Sequence, residues 1–204
     1  MDFPEWLQEP GQATKRIIFA RHGQYECNVR GVCNCDPRTP FRLNETGRQQ
    51  ALELGWRLRS EPIDIIVASE FLRARETAYL ANGPFGVPIV VNSLANENRV
   101  GSALEGRPHG EFDTLLRTGP SPATVAAHDG ESFLGMKARI KRLLDDLLLS
   151  SANTILVVSH GWPLQAARAL QGLVGDDDAA MCLGMPGNCE IVAGNYSREG
   201  FFPA

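Results

Sequence analysis

Two histidines stand in matching settings: His22 lies in Arg21-His22-Gly23 after the apolar run Ile17-Ile18-Phe19-Ala20, and His160 lies in Ser159-His160-Gly161 after Ile155-Leu156-Val157-Val158. One such histidine reads as a satisfied buried ring. Two, each delivered by an apolar run and followed by Gly, point to a shared site. Arg21 and Arg73 are expected at the same rim. Four groups able to carry positive charge crowd one cavity at a substantial energetic cost unless an anion neutralises them. The ligand this predicts is a dianionic phosphate, which Arg holds bidentately through its planar fork. With two imidazoles present, one can attack phosphorus as a neutral nucleophile while the other donates to the equatorial oxygens. A leaving alkoxide also needs a proton, and Glu97 is the carboxylic acid best placed to give it.

Bringing these residues together requires elements that end at one edge. The sequence predicts strands over Arg16–Ala20, Ile63–Ala68, Pro88–Val91 and Thr154–Val158, with Cys189–Ala193 as a last strand. Between them, helical spacing begins near Thr46 as N-cap and closes at Pro62, then resumes over Phe71–Ala81, Glu131–Leu149 and Pro163–Leu170. The helix over 131–149 carries Phe133, Met136, Ile140, Leu143, Leu144 and Leu147 on its inner side. Alternating strands and helices imply an α/β fold, a three-layer α/β/α sandwich with a mostly parallel sheet. Ligands of such sheets bind outside the carboxyl ends of the strands. Three strands deliver polar residues there: Arg21-His22-Gly23, Ser69 followed by Arg73, and Ser159-His160-Gly161. Residues 92–130 form a long excursion rich in Gly, Pro, Asn and His, with one short helix expected around Glu111–Leu116. A stretch of that length is expected to serve function, here as a variable cap over the substrate.

The ordered set Arg21-His22-Gly23 with Asn28, Ser69-Glu70-Phe71-Leu72-Arg73 with Thr77 and Ala78, Gly130-Glu131-Ser132, and Ser159-His160-Gly161 resembles the histidine phosphatase superfamily, also called phosphoglycerate-mutase-like. The likeness runs from about Ile17 to Cys189. It implies that His22 becomes a phosphohistidine, that Arg21, Arg73 and Asn28 hold the phosphoryl group, and that His160, with Gly161 beside it, stabilises the transition state. Glu97 then protonates the leaving oxygen and activates water, and no metal or other cofactor is required. The chain departs from the family where many members have Ser-Pro-Leu and it has Ser69-Glu70-Phe71, and where Trp-Glu-Gly is replaced by Leu104-Glu105-Gly106. The spacing from Leu94 to Glu97 is one residue longer than the commonest pattern, which leaves Glu105 as the fallback acid. Gln24 stands where family mutases usually have Glu.

The 204 residues carry 20 Lys and Arg against 24 Asp and Glu, a formal charge of -4, and 43% hydrophobic residues. A single domain over 1–204 is expected, with 1–14 as an N-terminal extension. The acidic balance argues against nucleic acid or an anionic membrane as partner. No apolar stretch reaches the roughly 20 residues of a membrane span, and Met1–Thr14 does not read as a signal peptide, so a cytoplasmic location is expected. Five cysteines, an odd count, favour reduced thiols. Cys27, Cys33 and Cys35 lack a common structural zinc spacing and read as free loop thiols, oxidation of which could inhibit the enzyme. His109 is a candidate for contacting the leaving group, and Trp162 fits either the core or the pocket wall. The expected activity is hydrolysis of a small phosphorylated metabolite. A phosphomutase is the alternative within the family, and a silent phosphate-binding module is the alternative outside enzymology. Sugar phosphates, nucleotides, phosphoglycerates, a cobalamin-precursor phosphate and phosphoprotein all suit the reading, and a homodimer is left open.

Overall fold

The computed structural model describes residues 13–203; most of the expected N-terminal extension, 1–12, lies outside the described residues. Six strands form one sheet: β1 (Lys15–Arg21), β2 (Ile65–Ala68), β3 (Ile89–Val91), β4 (Thr154–Ser159), β5 (Ile191–Ser197) and β6 (Gly200–Pro203), in the order β3-β2-β4-β1-β5-β6. The first four are mutually parallel. β5 and β6 run antiparallel along one edge. The helices are α1 (Glu26–Arg30), α2 (Glu45–Arg57), α3 (Leu72–Ala81), α4 (His109–Leu116), α5 (Phe133–Leu148), α6 (Gly161–Leu170) and α7 (Asp176–Ala180).

Alternation along the central strands divides the core in two. Ile17, Phe19, Ile65, Val67, Ile155 and Val157 pack with Phe133, Met136, Ile140, Leu143, Leu144 and Leu147 of α5 and with Leu164 and Ala167 of α6. Ile18, Ala20, Ile66, Ala68, Leu156 and Val158 face the other way, onto Ala51 and Leu54 of α2 and Ala74 and Ala78 of α3. Both faces of the parallel strands are therefore covered, which is why these strands read as unbroken apolar runs.

Several boundaries differ from expectation for local reasons. Thr46 is not the N-cap of α2; Asn44 is, with its side-chain oxygen accepting the Gly47 N–H at 2.8 Å, and Thr46 sits in the first turn. An N-cap side chain serves the N2 or N3 amide, and Asn44 has the right spacing to Gly47. α2 also ends at Arg57, ahead of Pro62. The last predicted strand begins later and runs longer, and it pairs with β6, which was not predicted. The excursion holds one α-helix, α4, which starts at His109 rather than Glu111, and three short 3-10 turns at Ser93–Ala95, Ser102–Leu104 and Pro122–Thr124.

Sheet register accounts for the meeting of the two histidines. Arg21 on β1 pairs with Ser159 on the adjacent β4. His22 and His160 follow immediately, so they leave neighbouring strands at the same level, and strands in a sheet lie about 4.8 Å apart. Ala68 of β2 pairs with Val158 on the other side of β4, bringing Ser69 to the same edge.

Candidate active site

The rings of His22 and His160 lie 5.1 Å apart, centroid to centroid, at an interplanar angle of 62°. Both are buried, at 2% and 0% exposure. Arg73 sits between them: its Nε donates to His22 Nε2 at 3.2 Å and its Nη2 to His160 Nδ1 at 3.2 Å. A guanidinium can only donate, so both of these ring nitrogens carry lone pairs. The tautomers follow. His22 Nδ1–H donates to the Gly23 carbonyl at 2.7 Å, and His160 Nε2–H donates to Ser69 Oγ at 2.7 Å. Burial, then the charges of Arg73 and Arg21, hold the His22 pKa well below its usual value. His160 is lowered in the same way, by burial first, then by Arg73, His22, Arg21 and Arg139. Two neutral imidazoles thus flank one guanidinium, with no proton on His22 Nε2, as a nucleophile requires.

Arg73 is itself 1% exposed and held from four sides. Asn34 accepts from it twice, Oδ1 from Nη1 at 2.7 Å and the backbone oxygen from Nη2 at 3.1 Å. Its Cζ lies over the rings of Tyr25 and Phe71, 4.4 and 4.2 Å from their centroids. Phe71, one of the departures from the family pattern, also packs edge-on against His160 at 4.8 Å. Burial lowers the Arg73 pKa, yet guanidinium remains charged throughout the working range. The motif residue Thr77 accepts from the Gly23 N–H at 3.0 Å while donating to the Arg73 carbonyl at 2.7 Å, tying the loop after β1 to α3.

These groups open onto a cleft of about 250 Å³. Arg21, His22, Asn28, Arg73 and Glu97 all line it. His160 does not line it: the ring is fully buried and is joined to the cleft through its 3.2 Å contact to Arg73. Arg21 donates from Nη1 to the Pro186 carbonyl at 2.8 Å, and its buried Nε has no partner among the described residues. Gly161 opens α6 and does not line the cleft; a side chain there would collide with Met185. The fallback acid is placed elsewhere: Glu105 accepts from Asn34 Nδ2 at 2.9 Å and from the Cys35 N–H at 2.8 Å, so its carboxylate braces the residue that braces Arg73. Glu97 accepts the neighbouring Asn98 N–H at 2.9 Å. Its loop is fastened by Arg139, which donates to the Leu94 and Asn96 carbonyls at 2.6 and 2.9 Å and pairs with Glu131 at 2.8 Å.

Sequence reasoning missed Asn34, Arg139 and Asn188. Asn188 donates to the His22 carbonyl at 2.9 Å and to Asn28 Oδ1 at 3.1 Å, orienting Asn28. Glu131 belonged to a motif, and its charge was the available signal for a partner such as Arg139. Asn34 and Asn188 lie in loops with no periodic pattern to mark them. His109, at the start of α4, lines the cleft. Trp162 is both core and wall: it packs tilted against Phe112 at 5.1 Å and edge-on against Phe133 at 5.6 Å, and it lines the cleft. The five cysteines are free thiols, and Cys33, Cys35 and Cys182 border the cleft. Burial raises all three, Cys33 to about 11 and Cys182 to about 12, which keeps them protonated and weakly nucleophilic. No group of three or more His, Cys, Asp or Glu among the described residues is arranged to hold a metal ion. No helix among them is long and apolar enough to cross a membrane.

Gln24 does not line the cleft. Its side-chain oxygen accepts from Asn44 Nδ2 at 2.9 Å, and its N–H donates to Gln50 Oε1 at 2.9 Å, so it fastens the nucleophile loop to α2.

Known proteins are similar to this chain in sequence and fold. The adenosylcobalamin/alpha-ribazole phosphatase of Salmonella typhimurium is 31% identical over 151 residues, 71% of this chain and 73% of that protein. A probable phosphatase of Schizosaccharomyces pombe is 34% identical over 158 residues, 75% of this chain and 71% of its own length. Among solved structures, YhfR of Bacillus stearothermophilus superposes with a TM-score of 0.79 at 24% identity, covering 93% of this chain and 95% of that one. The mycobacterial glucosyl-3-phosphoglycerate phosphatase in complex with VO3 gives 0.73 at 26% identity over 88% and 90% of the two chains. The model of the histidine phosphatase superfamily (branch 1) matches residues 17–202, and the chain belongs to that family.

Proposed function

We propose that this chain is a phosphomonoesterase that works through a phosphohistidine at His22. The observation that carries the reading is the bare Nε2 of His22, its tautomer fixed by Gly23 and its lone pair held at the cleft by Arg73. In this reading the substrate phosphate displaces the contacts Arg73 makes to the two rings, and the guanidiniums of Arg73 and Arg21 take its oxygens with Asn28. His22 Nε2 attacks phosphorus in line with the ester oxygen, forming the N–P bond as the O–P bond breaks. Glu97, as a carboxylic acid, gives its proton to the departing alkoxide. The carboxylate left behind then takes a proton from water, whose oxygen attacks the phosphoryl group and returns His22 to its neutral form with release of inorganic phosphate. General acid catalysis of this kind contributes about 10²- to 10⁴-fold.

His160 changes state during binding. Its Nδ1 holds a lone pair toward Arg73 in the free protein and must gain a proton to donate to a phosphoryl oxygen. The Ser69 hydroxyl accepts from Nε2–H in both states, so the ring does not need to turn. Two guanidiniums and an imidazolium supply the positive charge that Mg²⁺ supplies to kinases, and the reaction so written uses no metal ion. Phosphate release from p-nitrophenyl phosphate, with and without EDTA, tests the reading against His22→Ala. Release by the wild type that resists chelation and is lost in the variant is the expected outcome. Activity that survives the substitution would remove His22 from the role given to it.

A further inference from the structure

The wall of the cleft contributed by residues 92–130 contains a side chain whose bonding is incomplete. Asn98 lines the cleft at 2% exposure, and neither Oδ1 nor Nδ2 has a hydrogen-bond partner among the described residues. Buried donors and acceptors are almost always paired, and leaving both ends of one amide unpaired is costly. Such a cost persists where the group has a use. The same cleft is lined by His109 and Asp113, four residues apart on α4 and so on one face of that helix. Phe112 and Trp162, with centroids 5.1 Å apart, supply an apolar flank.

The distribution of charge narrows what can lie there. Arg21 and Arg73 are the only Lys or Arg side chains among the described residues that line the cleft. Both are committed to the phosphoryl group. The remaining fixed charges, Glu97 and Asp113, are acidic. A carboxylate or a second phosphate on the substrate would meet these acids with no guanidinium to receive it, whereas a hydroxyl would find an amide able to donate and accept at once.

We infer that the cleft selects phosphate esters of uncharged, hydroxyl-bearing alcohols of the polyol or sugar kind, and that Asn98 is the residue that recognises a hydroxyl of the leaving group. The inference rests on the phosphatase reading above. One hydroxyl donates to Oδ1 while its neighbour accepts from Nδ2, so a vicinal diol satisfies both ends of the amide. The carbon skeleton lies against Phe112 and Trp162.

The test is a matched pair of substrates. Glycerol 3-phosphate and 3-phosphoglycerate differ only in a hydroxymethyl group against a carboxylate. The kcat/KM of the wild type for the first exceeds that for the second by about tenfold or more, and Asp113→Asn narrows the gap. Asn98→Ala lowers kcat/KM for glycerol 3-phosphate by about tenfold more than for phenyl phosphate, whose leaving group brings no second hydroxyl. Its thermal midpoint stays level or rises, because two unpaired buried polar atoms are removed. Turnover of 3-phosphoglycerate equal to or better than glycerol 3-phosphate overturns the inference, as does an equal loss on both esters in Asn98→Ala. Failure of the wild type to hydrolyse even phenyl phosphate overturns the phosphatase reading itself, and the inference with it.

Discussion

Lowering the pH should weaken the ligand-free protein well before its carboxylates titrate, because His22 and His160 are buried as neutral rings. In the unfolded chain both recover a pKa near 6.5, while in the folded state burial and the guanidiniums of Arg73 and Arg21 hold them well below it. The unfolded state therefore binds more protons. Stability is complete only well above pH 6.5, falls as the pH drops through that value, and levels off only when the folded rings themselves protonate. For two rings that stay neutral in the fold, moving from pH 7.5 to 5.5 costs about 2.7 kcal/mol, being RT ln(1 + 10^(6.5 − pH)) per ring at the lower pH less the same quantity at the higher. That corresponds to a fall in Tm of about 5–10 °C for a chain of this length. Urea or thermal unfolding in buffers free of phosphate measures it, and at pH 5.5 unfolded carboxylates are still largely ionised. Saturating phosphate should flatten the dependence, since His160 Nδ1 takes up a proton to face an oxyanion. Stability that is level between pH 7.5 and 5.5 would refute the assignment of two neutral rings.

Three substitutions probe the supports of the site. Asn34→Ala takes away the 2.7 Å contact to a fully buried guanidinium; at roughly 1.5–3 kcal/mol for a hydrogen bond to a charged group, vanadate affinity measured by competitive inhibition falls about 10- to 100-fold. Glu97→Gln slows hydrolysis of an alkyl phosphate about 10²- to 10⁴-fold and that of p-nitrophenyl phosphate much less, since nitrophenolate leaves without a proton; equal losses would take the acid role from Glu97. Gly47→Ala would build its Cβ into the Gln24 backbone, where α2 closely approaches the loop after His22. A loss of about 1–3 kcal/mol in urea denaturation is expected, and an unchanged midpoint would show that this approach is loose.

The residues on the parallel strands were legible because burial on both faces leaves an apolar run whose end is abrupt, and chemistry begins where the run stops. Arg21, His22, Ser69 and His160 all follow from that, as does the inner face of α5, each of whose six predicted residues is buried. The antiparallel edge was harder to read. β5 alternates exposed Ile191 and Asn195 with buried Val192 and Tyr196, and β6 is four residues long with Pro203 at its end, so neither presents an apolar run. The bracing of Arg73 was not legible at all. Asn34 comes from a loop 39 residues earlier and Glu105 from one 71 residues after Asn34, and only the folded chain makes them neighbours. The family pattern marked Glu105 as a fallback acid by its position in sequence; its two hydrogen bonds direct it to Asn34 and Cys35 instead.

The central claim is that a phosphoryl group passes through His22 Nε2. Rapid mixing with a phosphomonoester followed by quenching in alkali, where phosphohistidine survives, and mass spectrometry of the peptide spanning His22 tests it most directly. The account predicts one phosphoryl group on that ring, bonded to Nε2, formed before phosphate is released and absent in His22→Ala. Release of phosphate in the first turnover with no label on His22 at any time would contradict it.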